Sequence, residues 1–336
     1  MYRTLDDLPW TKADWLATAN AWIDGELEKV GLTPAGAREQ PHVRAWSTVL
    51  RVPTSDGDLY FKAVWPPQAH EVVLTAALAS WLPGFVPEVI AARPSHAWIL
   101  LRDAGRRLRE VLKEERDVVR WQAVLVRYAE AQIALAERVA EIVEFGVPDW
   151  RPAVVTEQLA QLVEDSRALR LGLPDGLSSD EVVRLRALLP RFRSRWGLLA
   201  ASKVPATLEH NDFHDGNVSF RAGAYVVFDW GDACVTHPFV SLRVALRSIA
   251  HTLELAADGP EITRLRDAYL EPWTAFAPRT QLLADLQPAL ILAAVCRAFS
   301  WRLVVSQVEP PLLDEYADAV AHSLRDVVEL GEAMKA

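Results

Sequence analysis

Residues 210–217 read His-Asn-Asp-Phe-His-Asp-Gly-Asn. Two carboxylates, two imidazoles and two side-chain amides stand within eight positions, immediately after an apolar run at 204–208. A turn uses Asp, Asn and Gly for local backbone hydrogen bonds, but it has no need for this many polar groups facing one another. Residues 220–225, Phe-Arg-Ala-Gly-Ala-Tyr, have the composition of a turn between two short strands. A further acid, Asp229, follows in Val-Val-Phe-Asp-Trp-Gly-Asp. A hairpin at this place returns Asp229 beside the loop that carries Asp212 and Asn217.

Those three side chains match the needs of phosphoryl transfer from a nucleotide. The reaction requires a group that accepts or orients the proton of an attacking hydroxyl, and hard oxygen ligands that hold Mg²⁺ against the phosphates. A carboxylate at Asp212, an amide oxygen at Asn217 and a carboxylate at Asp229 would supply them. The plainer alternative is a polar turn closed by Asx hydrogen bonds. The joint occurrence of all three in this order argues against it.

The rest of the chain provides the setting. Its 336 residues are 51% hydrophobic and include 13 Trp, enough for a sizeable core in two domains or one large two-lobed unit. There are 45 acids and 36 bases, for a net charge of -9. The first 104 residues hold 12 acids and 9 bases, leaving 33 and 27 beyond, so neither part is strongly polarised. No basic tract marks a surface for nucleic acid or an anionic membrane. Cys234 and Cys296 make no metal-ligand pattern, which fits a reduced compartment. The first ten residues lack the apolar core of a signal peptide, and no uninterrupted apolar stretch is long enough to cross a bilayer, so the expected location is the cytoplasm.

Residues 11–30 predict a helix, with Thr11 as its cap, Trp15, Leu16, Ala19, Trp22 and Ile23 at helical spacing, and Gly31 at its end. β-rich runs at 43–52 and 59–65 flank Pro-Thr-Ser-Asp-Gly-Asp, a hairpin connection. A helix is predicted at 68–82, stopped by Pro83-Gly84, and short strands at 88–92 and 97–101 complete a small antiparallel sheet. Beyond residue 105 the pattern turns helical, at 118–145, 156–171, 180–199 and most of 239–334. Cys296, inside an apolar helical run, reads as a small core residue.

His210-Asn211-Asp212 with Asn217, followed by Asp229-Trp230-Gly231-Asp232, resembles the catalytic and metal-binding segments of the aminoglycoside phosphotransferase and choline kinase-like family, relatives of protein kinases. The resemblance runs from about residue 43 to 239. It implies that Asp212 is the catalytic base, that Asn217 and Asp229 are Mg²⁺ ligands, and that His210 organises the loop. Asn211 stands where members commonly have Gly. A kinase-like small lobe also needs a strand Lys for the ATP phosphates and an acid on the next helix. Lys62 is the only Lys between Val30 and Lys113, and Glu71 the only acid between Lys62 and Glu88. Their plainer readings are an edge-strand lysine and a first-turn helix acid. The matching inter-lobe hinge follows the last small-lobe strand, where the backbone of Leu100, Leu101 and Arg102 is expected to bind adenine. The stretch 53–57 has one Gly and no G-x-G-x-x-G.

The expected architecture is α+β, a protein-kinase-like two-lobed fold. Residues 1–101 form a small lobe with a leading helix, an antiparallel sheet and one inserted helix; 102–105 form the hinge; 106–336 form a helical lobe with the catalytic loop and metal-binding hairpin. The expected activity is ATP- and Mg²⁺-dependent transfer of the γ-phosphoryl group to a hydroxyl of an amino sugar, aminoglycoside, choline-like or other small metabolite. The expected partners are the nucleotide and that acceptor, with no nucleic acid and no membrane. A protein acceptor is disfavoured, because residues 233–239 leave little room for an activation segment. Glu254, Asp258, Glu261, Asp267 and Glu271 would attract a cationic acceptor, although such acids more often form a solvated helix face. Two other classes stay open. His210, Asp212, His214, Asp215 and Asp229 could bind zinc or iron in a hydrolase, which leaves Lys62 and Glu71 unused. A catalytically silent nucleotide-binding module would lack a base or a metal ligand, and none is missing.

Overall fold

In a computed structural model describing residues 4–221, 223–309, 312–313 and 316–334, the helical spacing of Trp15, Ala19, Trp22 and Ile23 becomes α1 (Ala13–Lys29). Thr11 is not its cap. It sits in the preceding 3₁₀ turn, where its hydroxyl donates to Leu8 O at 2.9 Å, and Lys12 takes the cap position. Gly31, at φ +72°, lets the chain leave the helix, and Leu32 N closes back on Leu27 O at 3.0 Å.

Strands β1 (Glu39–Val43), β2 (Ser47–Thr54) and β3 (Gly57–Val64) precede helix α2 (His70–Trp81), and β4 (Val89–Arg93) and β5 (Trp98–Arg102) follow it. They form one antiparallel sheet in the order β1-β2-β3-β5-β4. Strand β1 was not anticipated because Glu-Gln-Pro-His-Val is polar and holds a proline, which a sheet accepts at its edge. Alternation along β3 sorts its side chains between two helices. Leu59, Phe61 and Ala63 join Trp98 and Leu100 in a core with Ala19, Ile23 and Leu27 of α1. Val64 joins Ile99 and Val72 of α2 in a second cluster. Lys62, in phase with Val64, is thereby directed to the α2 face.

The chain continues through β6 (Arg106–Arg107) to α3 (Leu108–Glu115), α4 (Val119–Leu135), α5 (Val139–Glu144), α6 (Pro152–Val163) and α7 (Ser179–Ala200). Helix α3 escaped the sequence reading because its eight residues bury only Leu108, Val111 and Leu112. The expected helix at 118–145 is interrupted by a 3₁₀ turn at Ala136–Arg138, and the one at 156–171 instead runs from Pro152 to Val163. A capping box between Ser178 and Glu181 starts α7. Strand β7 (Thr207–Glu209) leads into the 210–217 loop, and β8 (Val218–Arg221) and β9 (Ala224–Val227) form the expected hairpin, with Ala222 outside the described residues. Strand β10 (Cys234–Thr236) then pairs with β7, and α8 (Ser241–Leu253), α9 (Pro260–Leu270), α10 (Arg279–Val305) and α11 (Ala319–Ala333) complete the chain.

By their contacts, residues 1–107, 217–231 and 307–314 form one unit, and 108–216, 232–306 and 315–336 a second. The architecture is α+β, an antiparallel sheet lobe and a helical lobe. The β8–β9 hairpin groups with the sheet lobe because β8 pairs with β6 and Val227 N donates to Phe85 O at 2.8 Å. Helix α10 is long and apolar enough by length and composition to cross a membrane, although Asp285, Arg297 and Arg302 interrupt its apolar run. Most of that apolar window is buried, with Ala289, Leu292, Val295 and Cys296 inaccessible, the pattern of a core helix.

Candidate active site

The polar residues singled out in the sequence divide between the two units. In the sheet lobe Lys62 Nζ lies 2.6 Å from Glu71 Oε1 and 2.5 Å from Asp229 Oδ1. Strand β3 supplies the lysine, the first turn of α2 the glutamate, and the second residue beyond the β8–β9 hairpin the aspartate. Burial opposes the charge on Lys62, but Asp229 and then Glu71 outweigh it and hold the ammonium pKa above its usual value. The Glu71 side chain is 4% exposed and that of Asp229 51%, so one partner is structural in character and the other faces solvent.

Asp229 adopts φ +70°, a left-handed conformation that Asp tolerates better than most residues and that clusters at functional sites. Gly231 explains the glycine of the Asp-Trp-Gly motif. A Cβ there would stand 3.1 Å from Glu71 Oε2 and 3.3 Å from the Gln68 amide, so any larger residue would have to push these side chains back by a few tenths of an ångström. The adjacent His70 imidazole hydrogen-bonds the Gly231 backbone, and burial lowers its pKa to about 4. Asn217 begins the hairpin, and its carbonyl accepts from Phe228 N at 3.1 Å. The hairpin therefore brings Asn217 and Asp229 to the same open end.

Leu100, Leu101 and Arg102 do not provide the expected adenine edge. Leu100 and Leu101 lie inside the ladder between β3 and β4, and Arg102 N donates to Glu88 O at 2.9 Å. Their backbone is committed to the sheet. The Arg102 side chain instead holds Asp56 at 3.0 Å and Glu88 at 2.8 Å, pinning the tight β2–β3 turn. Among the described residues the first N–H beyond β5 that meets no acceptor belongs to Ala104.

The helical lobe holds the other half. His210 is inaccessible; its Nδ1 accepts from Asp212 N at 3.3 Å, and its backbone N–H donates to the Tyr128 hydroxyl at 2.9 Å. Asn211 adopts φ +61°, which explains why glycine is common at this position in the family it resembles. Asparagine keeps the conformation and adds a tether, since its Nδ2 donates to Ser300 Oγ at 2.9 Å and Cys296 O at 3.3 Å. Phe213 stacks on Tyr128 with ring centres 3.8 Å apart. Asp215, fully buried, receives Arg109 Nε at 2.7 Å, Ser248 Oγ at 2.8 Å and Thr252 Oγ1 at 2.6 Å. It anchors the loop to α3 and α8.

Asp212 faces Arg297 Nη1 at 3.4 Å and His214 Nε2 at 3.4 Å. Burial raises its pKa, but Arg297 foremost and then His214 overcome this and keep the carboxyl well below the usual carboxylate range. Arg297 also donates to Asn211 O at 3.1 Å and Asp232 Oδ2 at 2.9 Å. The sequence reading passed over Arg297, although a signal existed: it is the only charged residue between Asp285 and Arg302 in an apolar helix. Asp212, His214 and Arg297 border a cavity of about 870 Å³ within this lobe. Of the acids expected to draw a cation, Glu254 reaches its wall, and Asp258, Glu261, Asp267 and Glu271 do not. Asp267 is instead held by Arg266 at 2.8 Å and Arg279 at 2.5 Å. Among the described residues no three His, Cys, Asp or Glu side chains gather into a metal-binding group, so the hydrolase alternative gains no support.

The phosphotransferase enzyme family model matches residues 47–280. No curated protein sequence matches the chain. Among solved structures, an ethanolamine kinase from Plasmodium vivax is similar with a TM-score of 0.59 at 12% identity, covering 95% of this chain and 89% of that one. A choline kinase from Streptococcus pneumoniae gives 0.56 at 10% identity, covering 94% and 100%. A macrolide 2′-phosphotransferase from Brachybacterium faecium gives 0.53 at 17% identity, covering 90% and 98%. Identities this low bear on the fold and leave the substrate to the site itself.

Proposed function

Since the chain belongs to the phosphotransferase enzyme family, we propose that it is an ATP- and Mg²⁺-dependent kinase transferring the γ-phosphoryl group to a hydroxyl of a small molecule. The observation that carries this reading is the double engagement of Lys62 by Glu71 and Asp229. A strand lysine fixed by a helix acid is what nucleotide phosphates require, and it has no use in a hydrolase.

In this reading Lys62 binds the phosphates and Glu71 fixes its position. Asn217 and Asp229 hold Mg²⁺, since both present hard oxygen donors and the Asn217–Phe228 hydrogen bond keeps them at one end of the hairpin. Two protein oxygens suffice for an ion that also takes phosphate and water ligands. The ion, when bound, neutralises charge developing on the transferred group. The turn at 103–105, with the Ala104 N–H, meets the adenine edge. Asp212, kept ionised by Arg297 and His214, accepts or orients the hydroxyl proton. His210 holds the backbone of Asp212 in place. The cavity beside Asp212, at about 870 Å³, is of a size that suits a small acceptor.

Thermal unfolding with ATP or GTP, with and without Mg²⁺, tests the reading. A Mg²⁺-dependent rise in melting temperature is expected in the wild type and is lost in Asp229→Ala, because a ligand that binds the native state stabilises it. Asp212→Ala should keep that rise and lower turnover by roughly 10² to 10⁴. No rise at millimolar nucleotide would overturn the proposal.

A further inference from the structure

Resting on the kinase reading, we propose that the acceptor carries a carboxylate or phosphate group besides its reacting hydroxyl, and that Arg243 and Arg247 of α8 bind that group. Both arginines border the same cavity as Asp212. They are one helical turn apart, and both guanidiniums reach the same oxygen, Asp326 Oδ2 of α11; the Arg247 contact is 3.0 Å. One carboxylate cannot neutralise two guanidiniums, and like charges four positions apart on a helix repel. The Arg243 side chain is 11% exposed, so water hydrates its charge poorly. Glu329 attracts Arg243 through space but forms no ion pair with it and lies outside the cavity wall.

The other charges of the cavity are arranged differently. Arg109 is matched by Asp215, and Arg297 by Asp212 and Asp232. Lys113, Glu254 and Asp318 also line the cavity, so the rest of the wall carries charges of both signs, and the α8 pair is where two guanidiniums share one carboxylate. An oxyanion is the complement of such a pair, because guanidinium N–H groups bind carboxylate and phosphate in matched, charge-assisted hydrogen bonds. A cationic acceptor would set its charge against an excess that Asp326 already fails to cover. Under this proposal an anionic acceptor takes the place of the amino sugar or choline-like one expected from the sequence.

The test uses the full chain saturated with Mg²⁺ and a non-hydrolysable ATP analogue. Sodium selenate is titrated at constant ionic strength against tetramethylammonium chloride, following the melting temperature. Selenate is expected to stabilise the wild type and tetramethylammonium not to. Arg247→Gln, at a side chain 59% exposed and so compatible with folding, should weaken the selenate response about tenfold or more, as loss of a charge-assisted hydrogen bond does. Stabilisation by tetramethylammonium alone, no response to either ion, or a selenate response unchanged in Arg247→Gln would each overturn the proposal. Absence of the Mg²⁺-dependent shift with the analogue overturns the kinase reading itself, and the acceptor assignment with it. Phosphorus-31 NMR of the reaction with glucuronate and with glucosamine adds turnover. A higher kcat/KM for glucosamine would overturn the anionic acceptor while leaving the kinase intact; with neither sugar phosphorylated, the selenate titration decides.

Discussion

The Arg297 guanidinium stands 3.4 Å from the Asp212 carboxylate, and the same nitrogen, Nη1, lies 2.9 Å from Asp232. Arg297 also donates to the carbonyl of Asn211, so one side chain fixes both the backbone and the charge of the loop. Burial alone would favour a protonated Asp212, and the arginine reverses that. In the proposed mechanism Arg297 is a positioning residue for the base.

Replacing Arg297 with Met removes the charge and keeps much of the volume. The depressed pKa of Asp212 means that in the wild type it stays ionised while pH falls through the ordinary carboxylate range. In Arg297→Met the acid limb of the kcat/KM profile should move upward by at least about one pH unit, with activity at neutral pH reduced roughly tenfold to a hundredfold. An unmoved acid limb would show that the arginine does not tune this carboxylate.

Lys62→Met separates structure from nucleotide binding. Glu71 is buried at 4% side-chain exposure, and Lys62→Met takes away the cation that balances its charge. Such single removals destabilise by about 3–5 kcal/mol. Adding Glu71→Gln should restore most of the urea-unfolding free energy and none of the Mg²⁺-dependent nucleotide shift. Recovery of both would mean that the pair acts only in folding.

Much of this was legible in the sequence for definite reasons. Lys62 stood out as the only Lys in its β-rich region and Glu71 as the only acid on the following helix, and the two are paired at 2.6 Å. The turn composition at 220–225 marked the hairpin that brings Asn217 and Asp229 together. What escaped was of two kinds. Short elements, such as α3 and the buried β7–β10 pair, are too brief for periodicity to declare them. Long-range partners, such as Arg297 for Asp212 and Arg109 for Asp215, lie 85 and 106 positions away, and no local pattern encodes them. Near the expected hinge, a strand boundary one or two residues off also decides which backbone groups the sheet consumes.

Asn211 tests whether the loop needs its left-handed backbone, its side-chain tether, or both. Asn211→Gly keeps φ +61° accessible and loses the bonds to Ser300 and Cys296, for about 1–2 kcal/mol. Asn211→Val loses the same bonds and adds β-branched strain at positive φ, a further penalty of about 1–3 kcal/mol. Urea unfolding should therefore rank the variants wild type, Gly, Val, and turnover should fall in the same order. Equal stability of Gly and Val would show that the backbone conformation is not demanded.

Glu209, one residue before the loop, gives a pH dependence of opposite sign to the usual acid. It is inaccessible, and burial raises its pKa from 4.5 to about 7, although Asn211 N and Gln132 Nε2 donate to it at 3.0 Å each and the Ser241 hydroxyl also donates. Between those values the folded chain holds a proton that the unfolded chain has released. Its contribution is therefore complete near pH 4.5, is lost as pH rises to about 7, and is level above that, for about 3 kcal/mol in all. His70 and His237, buried and held neutral with pKa values lowered to about 4 and about 3, act oppositely, losing stability as pH falls below 6.5. The wild-type profile sums these effects, so the quantity to measure is the difference between wild type and Glu209→Gln. Urea unfolding across this pH range should show the variant gaining on the wild type as pH rises, because an amide at position 209 has no proton to lose. A constant difference would mean that Glu209 stays ionised in the folded protein and that its hydrogen bonds outweigh its burial.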